Sequence, residues 1–151
     1  MKLSIIIPCY NEISTIEKII DKVSTSSPYE NEIIVIDDYS TDGSREVLSK
    51  INHSKISKLI LNEKNYGKGY CIRKGIKEAS GEIIIIQDAD LEYDPSDYPQ
   101  LIEPFLKTDA DVVYGSRFIG GDGPKRLHFF WHTIANKFLT TLTNIFTNLN
   151  N

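Results

Sequence analysis

Four acidic side chains stand within seven positions of the stretch QDADLEYDP, which occupies residues 87–95. They are Asp88, Asp90, Glu92 and Asp94, and they follow the apolar run EIIII. Like charges this close destabilise one another unless water, a cation or protonation relieves the repulsion. Carboxylate oxygens are the ligands that Mg²⁺ and Mn²⁺ prefer. The stretch therefore predicts either a divalent-metal site or a solvated acidic turn before a helix that begins near Ser96.

The two interpretations differ in the arrangement that they require of the carboxylates of Asp88 and Asp90. If strand geometry persists through Gln87, the two carboxylates point the same way, because strand side chains alternate with period two. Magnesium takes one or two protein carboxylates and completes its shell with water and substrate phosphates. Asp-X-Asp is a common pattern, so the position of the pair in the fold must decide between a metal site and a solvated turn. Asp94, just before Pro95, is expected to be a turn residue.

A second polar cluster, DDYSTDGS, occupies residues 37–44. Thr41 or Asp42 can cap the following helix by accepting its orphan amide hydrogens. Capping does not explain Asp38, which could accept hydrogen bonds from a base or a ribose hydroxyl.

Two further clusters carry basic residues. In GSRF, the guanidinium of Arg117 can bind a diphosphate bidentately at the edge of an acidic pocket, or it can form a surface ion pair. NYGKG, at residues 65–69, fits neither common phosphate-loop pattern. Its glycines are expected to allow a tight turn into a helix.

The elements that must position these clusters are visible in the hydrophobic pattern. Nearly continuous β-branched runs predict strands buried on both faces at residues 3–7, 32–37, 57–62, 82–87 and 110–115. Helical spacing of apolar residues appears at 12–26, 42–51, 68–79 and 97–106. The alternation predicts a mainly parallel α/β sheet with helices on both faces. Ligands bind such sheets at the carboxyl ends of the strands, and every polar cluster follows a strand, which predicts one shared site.

The composition narrows the class of protein. With 151 residues and a 40% hydrophobic fraction, the chain can bury a real core, and its net charge of −4 argues against nucleic-acid binding. No window reaches the about 18 apolar residues of a membrane helix. Cys9 and Cys71 fit no metal or disulfide pattern, so reduced thiols and a cytoplasmic location are expected.

A boundary is expected near residue 120. The sheet domain is assigned to residues 1–120, and residues 121–151 begin with a Gly/Pro loop and continue into an aromatic, amphipathic helix, HFFWHTIANKFLTTLTNIF. Such a helix packs on its own domain, covers another part of the protein, or lies at a membrane surface, here the cytoplasmic face.

The ordered motifs resemble those of family-2 glycosyltransferases, over roughly residues 3–146. The most similar branch is that of dolichol-phosphate mannose synthases and bacterial polyprenyl-phosphate sugar transferases. The motifs are IIIPCYNE, EIIVIDDYSTDGS, KNYGKG, IIIIQDADLEYDP and VVYGSRF. The resemblance implies a GT-A fold and transfer of a sugar, with inversion, from a UDP- or GDP-sugar to an acceptor, for which a polyprenyl phosphate is expected.

The resemblance also assigns residues by position. Asp88 and Asp90 would bind Mg²⁺ or Mn²⁺ with Glu92 as a third ligand, and Asp90 and Arg117 would act in catalysis. Arg117 would hold the diphosphate. The expected donor-binding residues are Pro8, Tyr10, Asn11, Glu12, Ile36, Asp38, Asp88, Ala89 and Arg117.

Two departures from the family's pattern bear on these expectations. The family commonly has glycine where this chain has Tyr39, and tyrosine tolerates positive φ poorly. The chain also ends at TNLNN, where relatives continue into an acceptor-side segment, so it is expected to be the donor-binding part of a longer enzyme. A non-catalytic nucleotide-sugar-binding fragment and a nucleotidyltransferase are the alternatives.

Overall fold

Four parallel strands form the sheet of this protein. A computed structural model describes residues 1–26, 28–51 and 55–115. The strand order is β3-β2-β1-β4. The strands are β1 (Lys2–Cys9), β2 (Glu30–Asp37), β3 (Lys58–Leu61) and β4 (Ile83–Ile86). The helices are α1 (Ile16–Ser26), α2 (Ser44–Lys50), α3 (Lys68–Glu78) and α4 (Tyr98–Lys107), the last preceded by a 3₁₀ turn (Pro95–Asp97).

Helices cover both faces of the sheet, as the apolar runs predict. On one face, alternate residues of β1 such as Ile5 and Ile7 pack in one cluster with residues of α1, α2 and α4. On the other face, Ile6, Ile34 and Ile36 pack with Cys71 of α3. Each central strand is thus buried on both sides, which explains why its sequence is continuous rather than alternating.

Helix α3 approaches the sheet unusually closely at Gly75. A Cβ at this position would lie 2.5 Å from Cγ2 of Ile6 and 3.1 Å from Cδ1 of Ile36. The shorter distance leaves no room for a Cβ atom, so glycine permits this height of α3 above the sheet. That height fixes where the first turn of α3 stands at the carboxyl edge.

A polar cluster closes the amino-terminal edge of the sheet. The Glu32 carboxylate accepts a 2.6 Å hydrogen bond from the Ser4 hydroxyl and 2.8 Å bonds from both the amide and the hydroxyl of Ser80. Lys2 lies 3.6 Å away. Burial alone would raise the pKa of Glu32, but these donors and Lys2 outweigh it and lower the pKa to about 2.

The fifth predicted strand, residues 110–115, is not a strand in the structure. Val112 and Tyr114 are 64% and 89% exposed. A β-branched run becomes a strand only beside a hydrogen-bonding neighbour, and within the described ranges no strand pairs with this segment. The sequence prediction was therefore wrong here, although the prediction of a mainly parallel sheet was correct.

The outer edge of β4 also lacks a pairing strand in the described part of the chain. Ile84 and Ile86 lie in register with Ser4 and Ile6, so they share the α3 face of the sheet. They are nevertheless 40% and 48% exposed. An apolar surface therefore continues from the packed part of this face to its edge.

The chain divides into two units, Met1–Val113 and Tyr114–Asn151. All the elements named above lie in the first unit. The predicted boundary near residue 120, the Gly/Pro loop, the aromatic helix and Arg117 lie outside the described residues. Among the helices that the structure describes, none is long and apolar enough to cross a membrane.

Candidate nucleotide and metal site

A cleft of about 260 Å³ opens at the carboxyl edge of the sheet. It brings together three of the predicted polar strand ends and the loop that leads into α3. Four of the lining residues carry carboxylates and one carries an ammonium group. The lining residues are Pro8, Cys9, Tyr10, Glu12, Asp38, Asn65, Gly67, Lys68, Cys71, Asp88, Ala89 and Asp90.

Most of the predicted site residues line this cleft, but some do not. Asn11, Ile36 and Glu92 are outside the lining, and Ile36 is fully buried in the sheet. Arg117 lies beyond the described residues. The predicted roles of these four residues stay predictions.

Asp38 anchors the loop between β3 and α3. Its carboxylate is 3% exposed. Oδ1 accepts hydrogen bonds from Asn62 Nδ2 at 2.8 Å and from the Tyr66 amide at 2.9 Å. Oδ2 accepts one from the Gly67 amide at 2.7 Å. Burial would raise the pKa of Asp38, but these donors hold it below its usual value, so the group stays ionised. If Asp38 accepts a hydrogen bond from a base or a ribose hydroxyl, as the sequence predicts, that bond must compete with the hydrogen bonds that Asp38 already accepts from the protein.

The loops that follow β1 and β2 are bonded to each other. The Asn11 amide donates to the Ser40 hydroxyl at 2.9 Å, and Asn11 Oδ1 accepts from the Thr41 amide at 2.8 Å. Asp42 accepts from the amides of Ile13 and Ser44 at 3.0 and 2.9 Å. The motif DDYSTDGS therefore orders the cleft wall, and Asp42 receives the first amide of α2 although Gly43 occupies the N-cap position.

Three residues other than glycine have positive φ in the described ranges, and all lie at this edge. They are Asn11 after β1, Tyr39 after β2 and Leu91 after β4, with φ of 57°, 68° and 63°. Strain of this kind persists only where the surrounding structure over-determines it, and it clusters at functional sites. The value for Tyr39 also explains why glycine suits this position.

The acidic stretch forms a turn rather than an extension of β4. The strand ends at Ile86, and Asp88 and Asp90 both line the cleft from that turn. The Asp90 carboxylate accepts from the Glu92 amide at 2.9 Å. Asp94 accepts from the Ser96 amide at 3.0 Å and caps the 3₁₀ turn, which confirms its predicted turn role.

Gln87 holds that turn, and sequence reasoning missed it. The residue is buried, its Nε2 donates to the carbonyl oxygens of Asp88 and Tyr93 at 3.1 Å, and its Oε1 accepts from the Tyr98 hydroxyl at 2.8 Å. Burial raises the pKa of Tyr98, so this donor keeps its proton. A polar residue that ends an otherwise apolar run was the available signal.

The donor set suits a hard divalent cation. Asp88 and Asp90 offer carboxylate oxygens, while within the described part of the chain no three His, Cys, Asp or Glu side chains converge on one point. A partial protein shell of this kind fits Mg²⁺ or Mn²⁺, which complete their coordination with water and phosphate oxygens. It does not fit a closed structural zinc site.

Lys68 is the second residue that sequence reasoning missed. It is the first residue of α3, and its ammonium nitrogen lies 2.6 Å from Oδ1 of Asp88. The signal was present in NYGKG, where Gly67, with φ of 87°, starts the helix and confirms the predicted tight turn. The lysine between the two glycines therefore faces the cleft.

The chain belongs to glycosyl transferase family 2, whose model matches residues 4–150. A dolichol-phosphate mannosyltransferase of Pyrococcus furiosus is 34% identical over 136 residues, covering 89% of this chain and 38% of the relative. An undecaprenyl-phosphate 4-deoxy-4-formamido-L-arabinose transferase of Yersinia enterocolitica is 38% identical over 119 residues, covering 74% and 36%. The chain thus spans less than two fifths of the length of these relatives.

A solved structure agrees with the GT-A-like fold of the sheet. It is glucosyl-3-phosphoglycerate synthase of Mycobacterium tuberculosis, in complex with Mn²⁺, UDP and glucosyl-3-phosphoglycerate. The TM-score is 0.59 at 26% identity, over 72% of this chain and 40% of that one.

Proposed function

We propose that this chain is the donor-binding part of an inverting, metal-dependent glycosyltransferase that uses a nucleoside-diphosphate sugar. The observation that carries the proposal is the acidic turn at Asp88 and Asp90, which faces the loop held by Asp38 across one cleft. Family membership and a structural neighbour crystallised with Mn²⁺ and UDP support it. The nucleotidyltransferase alternative has no comparable support.

The acidic turn is assigned to the metal and the diphosphate. Asp88 and Asp90 would hold Mg²⁺ or Mn²⁺, whereas Glu92, the third ligand that the sequence predicts, lies outside the cleft lining and does not converge with them in the structure. A divalent cation held there would supply positive charge that stabilises a departing nucleoside diphosphate. Arg117 is assigned to the same diphosphate, because guanidinium binds phosphate oxygens bidentately.

The ends of β1 and β2 are assigned to the nucleoside. Tyr10 lines the cleft and is half exposed, while Asp38 holds the loop before α3 in place. The bonds between the two loops hold this pocket in shape before a ligand enters, which lowers the ordering cost of binding. The residues proposed for the donor are Pro8, Tyr10, Asn11, Glu12, Asp38 and Ala89, whereas Ile36, which the sequence also assigns to the donor, is fully buried in the core on the α3 face.

A polyprenyl phosphate is the proposed acceptor, on the strength of two relatives that are named for lipid-phosphate substrates. A phosphate oxygen is already ionised near neutral pH, so attack on the anomeric carbon needs no strong general base, whereas a sugar hydroxyl would need one. We further propose that residues 121–151 bring the enzyme to the cytoplasmic face of a membrane through the aromatic, amphipathic helix that their sequence predicts.

The test is metal-dependent binding and turnover. Titration calorimetry should show UDP or GDP binding that requires Mn²⁺ or Mg²⁺, and UDP- and GDP-sugars should be assayed with a short polyprenyl phosphate. Asp88→Asn and Asp90→Asn should each abolish metal-dependent binding. Asp111→Asn, which removes the same charge from an exposed position outside the cleft, is the control.

The outcomes separate the alternatives. Donor binding without transfer would favour the non-catalytic nucleotide-sugar-binding fragment. Unchanged metal-dependent binding in both cleft variants would refute the metal assignment.

A further inference from the structure

Lys68 pairs with the carboxylate that the proposed metal site needs. Its Nζ lies 2.6 Å from Asp88 Oδ1, and the two side chains are 57% and 21% exposed. The pair links the first turn of α3 to the turn after β4, so it spans the cleft.

The charges around the pair are unbalanced. Lys68 shares the lining of the cleft with the carboxylates of Glu12, Asp38, Asp88 and Asp90, and it is the one cationic side chain among the described residues of that lining. A nucleoside diphosphate is itself an anion, so it would enter a cleft whose lining carries a net negative charge. A cation in the lining lowers the electrostatic cost of that entry, and Lys68 is such a cation.

The ammonium group can move while its backbone stays in place. Asp38 binds the Gly67 amide directly before Lys68, and Gly75 seats α3 against the sheet. The side chain itself is a flexible four-carbon stem that ends in a compact charge, and it is more than half exposed. Its head can therefore exchange one anionic partner for another at small cost.

A divalent cation on Asp88 would repel an ammonium group bonded to the same oxygen. That repulsion would drive Lys68 away from Oδ1, and the diphosphate that the metal brings would offer it a new anionic partner in the same cleft. We propose that Lys68 is an exchangeable counter-ion of the metal site: it neutralises Asp88 before the cation binds and then donates to the donor's diphosphate. This inference rests on the proposed function of the cleft.

The exchange predicts opposite effects on two ligands. Without the lysine charge, Mn²⁺ alone should bind more tightly, because the cation no longer displaces an ammonium group. UDP in saturating Mn²⁺ should bind more weakly, because one charged donor to the diphosphate is lost. A residue that merely stabilised the fold would move both affinities in the same direction or neither.

The experiment compares Lys68→Met, which keeps the length of the stem, with Lys68→Arg and with Lys77→Met in the last turn of the same helix. Free Mn²⁺ is counted by electron paramagnetic resonance, and UDP binding is followed by calorimetry. For Lys68→Met we expect Mn²⁺ binding to tighten about two- to fivefold, the range of an exposed ion pair. UDP binding should weaken about tenfold or more, since tenfold is the lower end of the range for a hydrogen bond to a charged group. Lys68→Arg and Lys77→Met should stay near the unaltered chain.

Each outcome bears on a distinct statement. Opposite shifts in Lys68→Met, with an unchanged thermal transition, support the exchange. Equal affinities in Lys68→Met and the unaltered chain, or weaker binding of both ligands, overturn it while the metal site stands. Failure of the unaltered chain to bind Mn²⁺ overturns the proposed function itself and the exchange with it.

Discussion

The amide of Gly67 donates a 2.7 Å hydrogen bond to Oδ2 of Asp38, which joins the loop after β2 to the start of α3. Tyr66 and Asn62 donate to the same carboxylate. One buried anion thus satisfies donors from a loop that has no regular structure of its own. The shape of the cleft wall depends on that anion.

Asp38→Asn should therefore loosen this loop. The amide group of asparagine presents a donor where the backbone amides require an acceptor, so at least one buried group loses its partner. We expect a loss of about 2–3 kcal/mol in the free energy of unfolding, the range for a hydrogen bond to a charged group. Urea unfolding measures the loss, and hydrogen exchange should accelerate at the amides of Tyr66 and Gly67. Unchanged exchange at both amides would contradict the anchoring role.

Acid should destabilise the protein through Glu32. Its pKa is about 2 in the folded state against an ordinary 4.5, so the folded state favours the ionised form. This stabilisation is complete above pH 4.5 and is lost as the pH falls from there towards 2. The shift corresponds to at most about 3 kcal/mol.

Glu32→Gln provides the comparison, since it cannot titrate. Its free energy of unfolding should fall less steeply than that of the unaltered chain between about pH 5 and about pH 2. This is the range over which Glu32 takes up a proton. Glu46→Gln, at an exposed position on α2, should keep the original slope. Parallel curves for Glu32→Gln and the unaltered chain would mean that other groups govern acid unfolding.

Replacements of Tyr39 should differ widely in their effect on stability, because the backbone at this position has a φ of 68°. Glycine removes the conformational strain, worth about 1–2 kcal/mol, but adds about 0.5–1 kcal/mol of chain entropy. It also gives up the contact with Arg45, whose guanidinium carbon lies 5.8 Å from the ring centroid. Tyr39→Gly should thus stay within about 1 kcal/mol of the unaltered chain.

Tyr39→Val should instead lose about 1–2 kcal/mol, because a β-branched residue is poorly tolerated at positive φ. Tyr114→Val serves as the control, at an exposed tyrosine outside the left-handed region. Thermal unfolding gives the ranking. Equal stability of the glycine and valine variants at position 39 would rule out backbone strain as the cause.

Both cysteine thiols should resist alkylation while the protein is folded. Burial raises the pKa of Cys9 to about 12, with help from Asp37, and that of Cys71 to about 11, with help from Asp38. The thiolate is the reactive species, so almost none is present near neutral pH. Labelling with iodoacetamide should be slow until denaturant is added and should then reach both residues. Rapid labelling of the folded chain would show that the thiols are more accessible than their burial indicates.

The sequence predicted the first four strands and the first four helices because their apolar residues follow the periods that burial imposes. It could not exclude a strand at 110–115, since a β-branched run does not reveal whether a neighbour is present. It also placed Asp88 and Asp90 on one side by strand alternation, whereas the structure brings both to the cleft through a turn. The prediction therefore named the correct pair of residues, but the strand alternation on which it was based is not present at these positions.

Contacts between distant parts of the chain could not be predicted from the sequence. Asp38 was read as a residue that faces a ligand, yet its first partners are amides 28 and 29 positions away. Lys68 looked like part of a glycine turn, and only the fold sets it opposite Asp88. Such pairings depend on which strand ends become neighbours, and no local pattern encodes that order.

The half-exposed isoleucines of β4 have a practical consequence for anyone who purifies this chain. In the part of the chain that the structure describes, no strand pairs with the outer edge of β4, and an unpaired edge beside an apolar face is a template for association between molecules. Ile84 and Ile86 supply that face at 40% and 48% exposure. We expect light scattering to rise with protein concentration and to fall when Ile86 is replaced by lysine. Colloidal behaviour, and not only folding, will then set the conditions under which the cleft can be titrated.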